Sequence, residues 1–101
     1  MTLKPGSRWK STTCTAEAVV VRPAQTAGLP QCGGHDMVPL GEVAQDQPAR
    51  DGFANGCAVG KRYRDAASGL ELLCTRAGQG TLSFGGAVLA MVETKQLPSS
   101  D

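Results

Sequence analysis

Cysteine is the side chain that offers this chain the most chemistry. Four cysteines are spread along the sequence, and these are Cys14, Cys32, Cys57 and Cys74. A thiolate can bind a soft metal, act as a nucleophile or form a disulfide. The segment Cys32-Gly33-Gly34 is typical of a metal-thiolate turn, because glycine after a ligand cysteine lets backbone N–H groups turn toward the sulfur. The only histidine, His35, follows directly.

Other catalytic patterns are weak or missing. His35 beside Cys32 could form a Cys–His nucleophilic pair, but a lone histidine in a turn is more often solvated. The glycine-rich segment 75–80 lacks the Lys-Ser/Thr of a phosphate-binding loop, so a hairpin turn explains it. No paired carboxylates, HExxH or GxSxG occur in the sequence. We therefore expect no catalytic and no cofactor-binding residues.

The composition excludes several function classes. The formal charge of +1 over 101 residues leaves no large basic field for nucleic acid. The longest uncharged apolar run, 85–92, is too short to cross a bilayer. Residues 1–11 contain no apolar signal segment, so we expect a cytoplasmic protein. Disulfides are uncommon there, which favours free thiols or metal ligands.

The sequence predicts an all-β fold with short strands. Val19-Val20-Val21 lies in the strongest predicted strand, because β-branched residues favour pleated structure. The predicted strands cover 8–10, 17–22, 29–31, 70–75, 81–84 and 87–94, with Met37–Leu40 leading out of the third and a further start at 59–63. A helix over 87–95 is the alternative for the last segment.

A repeat is predicted from a shift of 52 positions, which places one half of the chain on the other. Gly33-Gly34 then matches Gly85-Gly86, Val20-Val21 matches Leu72-Leu73, and Trp9 meets Tyr63 with a two-residue slip. Units this short bury little alone, so the copies should share one core. The predicted organisation is a first unit over 1–40, a linker over 41–58 and a second unit over 59–101.

The first half of the chain resembles the desulforedoxin-like domain. The resemblance lies in three runs, Trp9-Lys10-Ser11-Thr12-Thr13-Cys14, Val19-Val20-Val21 and Gln31-Cys32-Gly33-Gly34-His35-Asp36-Met37. This small rubredoxin-like unit has the pattern aromatic residue, Cys-x-x-Cys, Val-rich strand and Cys-Cys-Gly-x-x-Met. The likeness covers residues 8–40. It implies two tandem desulforedoxin-like β-hairpin units around one core, imitating the homodimer that this unit forms alone.

The resemblance also implies a metal site, but two ligands are missing. Cys14 and Cys32 match the second and fourth family cysteines, while Ser11 and Gln31 replace the first and third. Neither is a good soft-metal ligand. In the second unit Phe84 stands at the position of Cys32.

Three states of Cys14 and Cys32 remain open at this point. They could be neighbouring buried thiols, a disulfide, or part of a recruited site for zinc or iron. A recruited site would take its further ligands from His35, Asp36, Cys57 or Cys74. Otherwise no cofactor is expected. Cys74 lies in a predicted strand and is expected in the core, whereas Cys57 lies in a glycine-rich turn and is expected to be more exposed.

The degenerate metal site without a replacement catalytic set predicts a non-catalytic accessory or protein-interaction module with a protein partner. The alternatives are a rubredoxin-like metal protein, with structural zinc or electron-transferring iron, and a thiol redox protein. The sequence leaves the oligomeric state open.

Overall fold

The computed structural model describes residues 4–42 and 47–92. This part of the chain contains ten short β-strands and no helix, so the predicted all-β class is confirmed. The strands are β1 (Arg8–Lys10), β2 (Glu17–Arg22), β3 (Pro30–Cys32), β4 (His35–Asp36), β5 (Val38–Pro39), β6 (Arg62–Arg64), β7 (Glu71–Arg76), β8 (Leu82–Phe84), β9 (Ala87–Val88) and β10 (Ala90–Val92).

The strands form two antiparallel sheets. One has six strands in the order β10-β6-β7-β2-β1-β5, and the other has four in the order β4-β3-β8-β9. Each sheet is centred on a pair with one strand from each half of the chain, β2 with β7 and β3 with β8. The two halves are therefore joined by backbone hydrogen bonds in both sheets.

Alternation of side chains explains the central strands. In β2, Ala18 and Val20 are buried while their neighbours are partly exposed, as expected for a strand with one face on the core. Val20 lies opposite Leu72 of β7, which is fully buried. The core is a single cluster with members from both halves, including Trp9, Tyr63 and all the buried leucines.

Glycine pairs close the two hairpins of the smaller sheet. Gly33 and Gly34 have φ of 68° and 84°, a left-handed conformation that glycine adopts without strain. Such a pair suits the tight turns whose twist matches antiparallel strands. The predicted turns at 33–34 and 85–86 are both present, between β3 and β4 and between β8 and β9.

Two local predictions are wrong. The segment 77–80 is a crossing between the sheets and not a hairpin turn, because β7 and β8 belong to different sheets. The last predicted strand is divided into β9 and β10 on either side of the buried Leu89, and its end, Glu93–Thr94, lies outside the described residues. Leu89 N–H donates to the Leu82 carbonyl at 3.0 Å, which holds the bend against the smaller sheet.

Candidate functional site: a cluster of four thiols

The thiols of Cys14 and Cys32 face each other, as expected from the sequence. Their sulfurs are 3.8 Å apart. Cys14 lies after β1 and is partly exposed, whereas Cys32 ends β3 and is fully buried. The pair therefore has one sulfur near solvent and one in the core.

A serine oxygen organises the turn before Cys14. Ser11 Oγ accepts hydrogen bonds from the backbone N–H groups of Thr13 at 3.0 Å and Cys14 at 3.2 Å. The same oxygen lies 3.5 Å from Cys14 Sγ. This arrangement satisfies two backbone donors locally and fixes the direction of the Cys14 side chain.

Cys57 and Cys74 join this pair from the other half of the chain. The Cys57 thiol is close enough to those of Cys32 and Cys74 to shift the pKa values of both, so the four thiols lie in one region of the core. The sequence suggested a more exposed Cys57, but it is 8% exposed because its backbone forms a β-bridge with Gly78. Cys74 is buried in β7, as predicted.

Two glycines lie directly on the sulfurs. A Cβ atom at Gly78 would be 2.6 Å from Cys14 Sγ, and one at Gly80 would be 2.7 Å from Cys32 Sγ. Gly80 also donates its N–H to Cys14 Sγ at 3.3 Å. The glycine-rich segment 75–80, which the sequence assigned to a turn, therefore forms one wall of the cluster.

The surroundings separate the acidities of the thiols. Burial raises the pKa of Cys14, but hydrogen bonds from Ser11, Ala16, Gly80 and Thr13 outweigh burial, and its pKa is lowered. The hydrogen bond with Cys57, followed by burial, raises the pKa of Cys32.

The opposite end of that hydrogen bond lowers the pKa of Cys57 to about 6. Burial, followed by the charge on Cys57, raises the pKa of Cys74 to about 12. The surroundings thus lower the pKa of Cys14 and Cys57 and raise the pKa of Cys32 and Cys74.

The positions that the resemblance assigns to metal ligands do not fit a four-thiolate centre. Gln31 directs its amide away from the sulfurs, where Nε2 donates to Asp36 Oδ1 at 3.1 Å and Oε1 accepts from Ser83 Oγ at 3.3 Å. His35 Nε2 lies 3.1 Å from the Pro48 carbonyl oxygen. Among residues 4–42 and 47–92, no group of three or more His, Cys, Asp or Glu side chains is placed to hold a metal ion.

A groove gives solvent access to Cys14. Its volume is about 390 Å³, and its walls come from the turn at 13–14, from 54–56 and from 78–80. Cys14 is the one cysteine among the lining residues, so a small molecule in this groove would meet its sulfur first. The arrangement can therefore support thiol chemistry that starts at Cys14.

Comparison with family models, curated proteins and solved structures gave no significant match to this chain. In the part of the chain that the structure describes, there is also no helix with the length and apolar character needed to cross a membrane.

Proposed function

We propose that this chain is a non-catalytic accessory module of two tandem desulforedoxin-like units that binds another protein in the cytoplasm. The observation that carries the proposal is a pair of apolar, uncharged edge strands that follow each other in the chain, β9 at the edge of the smaller sheet and β10 at the edge of the larger one. Met91 and Val88 there are 51% and 53% exposed. Solvent exposure of large apolar side chains on consecutive edge strands is typical of an interaction surface.

The opposite edges of both sheets are protected against pairing. β5 contains Pro39, which has no N–H to donate, and β4 carries the charged Asp36. Proline and charge are common devices that keep sheet edges from binding other chains. The edge strands β9 and β10 have neither, so the backbone of either strand can accept an added strand from a partner.

Charge near this edge suggests the chemistry of the partner. Arg64 lies opposite Ala90 and Arg62 opposite Val92, and both arginines are exposed. The Arg62 guanidinium is 3.7 Å from the carboxylate of the buried Glu71, while the Arg62 side chain itself is 59% exposed. An extended partner segment with apolar and acidic side chains would complement this surface.

Matching hydrogen bonds in the two halves support the tandem part of the proposal. Five backbone bonds of the first half have counterparts 52 or 54 positions later. In donor-to-carbonyl order they are Ser7–Lys4 with Lys61–Ala58, Gly6–Val20 with Gly60–Cys74, Val20–Ser7 with Cys74–Lys61, Ser11–Ala16 with Asp65–Leu70, and Met37–Pro30 with Leu89–Leu82. Duplication would produce this correspondence together with the symmetric strand orders.

Site-specific photo-crosslinking in the native host tests the interaction surface. A photoreactive residue at Met91 should give a discrete adduct with one protein. The matched control is Val59, which is also an exposed apolar residue but lies outside the edge strands. Equal adducts from both positions, or none from Met91, would refute the assignment of this edge.

A gain of metal binding tests the desulforedoxin-like part. Ser11→Cys places a third sulfur beside Cys14 and Cys32, where the turn already directs two N–H groups at the side chain. Cobalt(II) titration should then show thiolate-to-metal absorption that the natural chain lacks. Asp65→Cys is the control. Asp65 holds the equivalent turn in the second half, but the residue that it contacts there is Ser68 and not a cysteine. Absorption from both variants, or from neither, would contradict the proposal.

A further inference from the structure

We propose that Cys14 and Cys32 form a dithiol that exchanges with disulfides of small thiols, with Cys14 as the attacking sulfur and Cys32 as the resolving one. This activity is independent of the β9–β10 surface. Its basis is the difference in exposure between two neighbouring sulfurs. Cys14 is partly exposed at the groove, Cys32 is fully buried, and their Sγ atoms are 3.8 Å apart.

Access and orientation favour Cys14 as the attacking sulfur. It lines the groove of about 390 Å³, which is in the size range of small-molecule sites. Gly80 N–H donates to its sulfur at 3.3 Å, and Ser11 Oγ lies 3.5 Å away. Hydrogen bonds to a sulfur stabilise the thiolate, which is the nucleophilic form.

Burial and proximity favour Cys32 as the resolving sulfur. An external disulfide cannot reach it directly, because it is fully buried and Gly80 lies on its sulfur. A disulfide needs an S–S distance of about 2 Å. The present 3.8 Å must therefore shorten on oxidation, and the partly exposed Cys14 is the less confined of the two side chains.

The exchange balances in two steps. Cys14 thiolate attacks one sulfur of the substrate disulfide, a thiolate leaves, and Cys14 carries the other half as a mixed disulfide. Cys32 sulfur then attacks Cys14 Sγ, a new S–S bond forms between them, and the second substrate thiolate leaves while the Cys32 proton is released to solvent. Two electrons pass from the cysteine pair to the substrate, and the released thiolates take protons from solvent according to their own pKa values.

The test treats the fully reduced, full-length protein with bis(2-hydroxyethyl) disulfide, followed by alkylation and peptide mass spectrometry. The natural chain should give a Cys14–Cys32 link with Cys74 still alkylated. Cys32→Ser should stop at a mixed disulfide on Cys14, and Cys14→Ser should react at least about tenfold more slowly. Cys74→Ser is the control and should still give the Cys14–Cys32 link.

A second measurement does not depend on variant folding. Limiting iodoacetamide on the native, unsubstituted protein should label Cys14 before the other three cysteines, by about tenfold in rate or more. A dominant Cys57–Cys74 or Cys32–Cys57 link, equal rates for Cys14→Ser and the natural chain, or first labelling at another cysteine would overturn the proposal. Reduction of insulin disulfides without reaction with the small disulfide would overturn the assignment to small thiols.

Discussion

The contact between Gly80 and Cys32 gives a sharp test of how the two halves are joined. Gly80 does not have positive φ, so an alanine there meets no backbone strain. Its Cβ atom would lie 2.7 Å from Cys32 Sγ, 3.0 Å from Gly33 N and 3.1 Å from Thr13 Oγ1. The sulfur is therefore the closest obstacle, and it belongs to the other half of the chain.

Gly80→Ala should reduce stability through overpacking, which costs about 1–3 kcal/mol. For a domain of this size the melting temperature should fall by about 4–8 °C per kcal/mol. Cys32→Ala alone should cost about 1–2 kcal/mol, because it removes one well-packed heavy atom. The double variant Gly80→Ala/Cys32→Ala should lose less stability than the sum of the two single losses, by about 1 kcal/mol or more. The reason is that removal of the sulfur makes room for the new methyl group.

Urea unfolding of the four proteins measures this coupling. Gly78→Ala with Cys14→Ala is an informative comparison, because a Cβ at Gly78 also lies 2.6 Å from Ala16 N, and removing the sulfur leaves that backbone clash. We expect little coupling there. If the Gly80 and Cys32 effects add within about 0.5 kcal/mol, the close packing of the crossing segment on Cys32 is refuted.

Three further predictions address the turns and the thiols. Tyr63→Phe should lower the free energy of urea unfolding by about 1 kcal/mol, because the tyrosine hydroxyl accepts the Ala58 N–H at 3.0 Å. The control Arg64→Ala, at an exposed position of the same strand, should leave the stability nearly unchanged. Equal costs for the two variants would count against this hydrogen bond. Asp65→Ala should cost about 1–2 kcal/mol, because Oδ2 accepts from Ser68 N at 3.2 Å and Oγ at 2.6 Å; an unchanged unfolding midpoint would argue against the turn. As pH is raised, the alkylation rate of Cys14 should begin to increase at a lower pH in the folded protein than in the urea-unfolded protein. The reason is that the lowered pKa keeps the Cys14 thiolate populated at lower pH. Identical pH profiles for the two states would show that folding does not stabilise the thiolate.

The sequence predicted well wherever local residue patterns decide the structure. The β-branched run in β2 and the paired glycines at 33–34 specify a strand and a tight turn without help from distant residues. The facing of Cys14 and Cys32 came from the resemblance to a family whose ligand turns bring these positions together. These features needed no information about how the two halves meet.

The errors arise where long-range contacts decide the structure. The position of Cys57 depends on a bridge to Gly78, twenty-one positions away, and the spacing of the cysteines does not specify such a contact. Segment 77–80 contains glycines that would suit a hairpin, yet they are required because sulfurs of the first half lie against them. The division at Leu89 is invisible in an uninterrupted apolar run, which has no turn residue to mark it.

Under the proposed duplication, the two halves have kept their packing and diverged in chemistry. Gly28 lies on Phe84, where a Cβ would be 3.0 Å from the ring, and Gly80, fifty-two positions later, lies on Cys32, which is the counterpart of Phe84. Each half therefore places a glycine over the same position of the other half. The aromatic ring fills one location with apolar volume, while the thiol at the other contacts further sulfurs. This asymmetry explains why the thiol cluster forms at one location only, although the strand order of both sheets is symmetric.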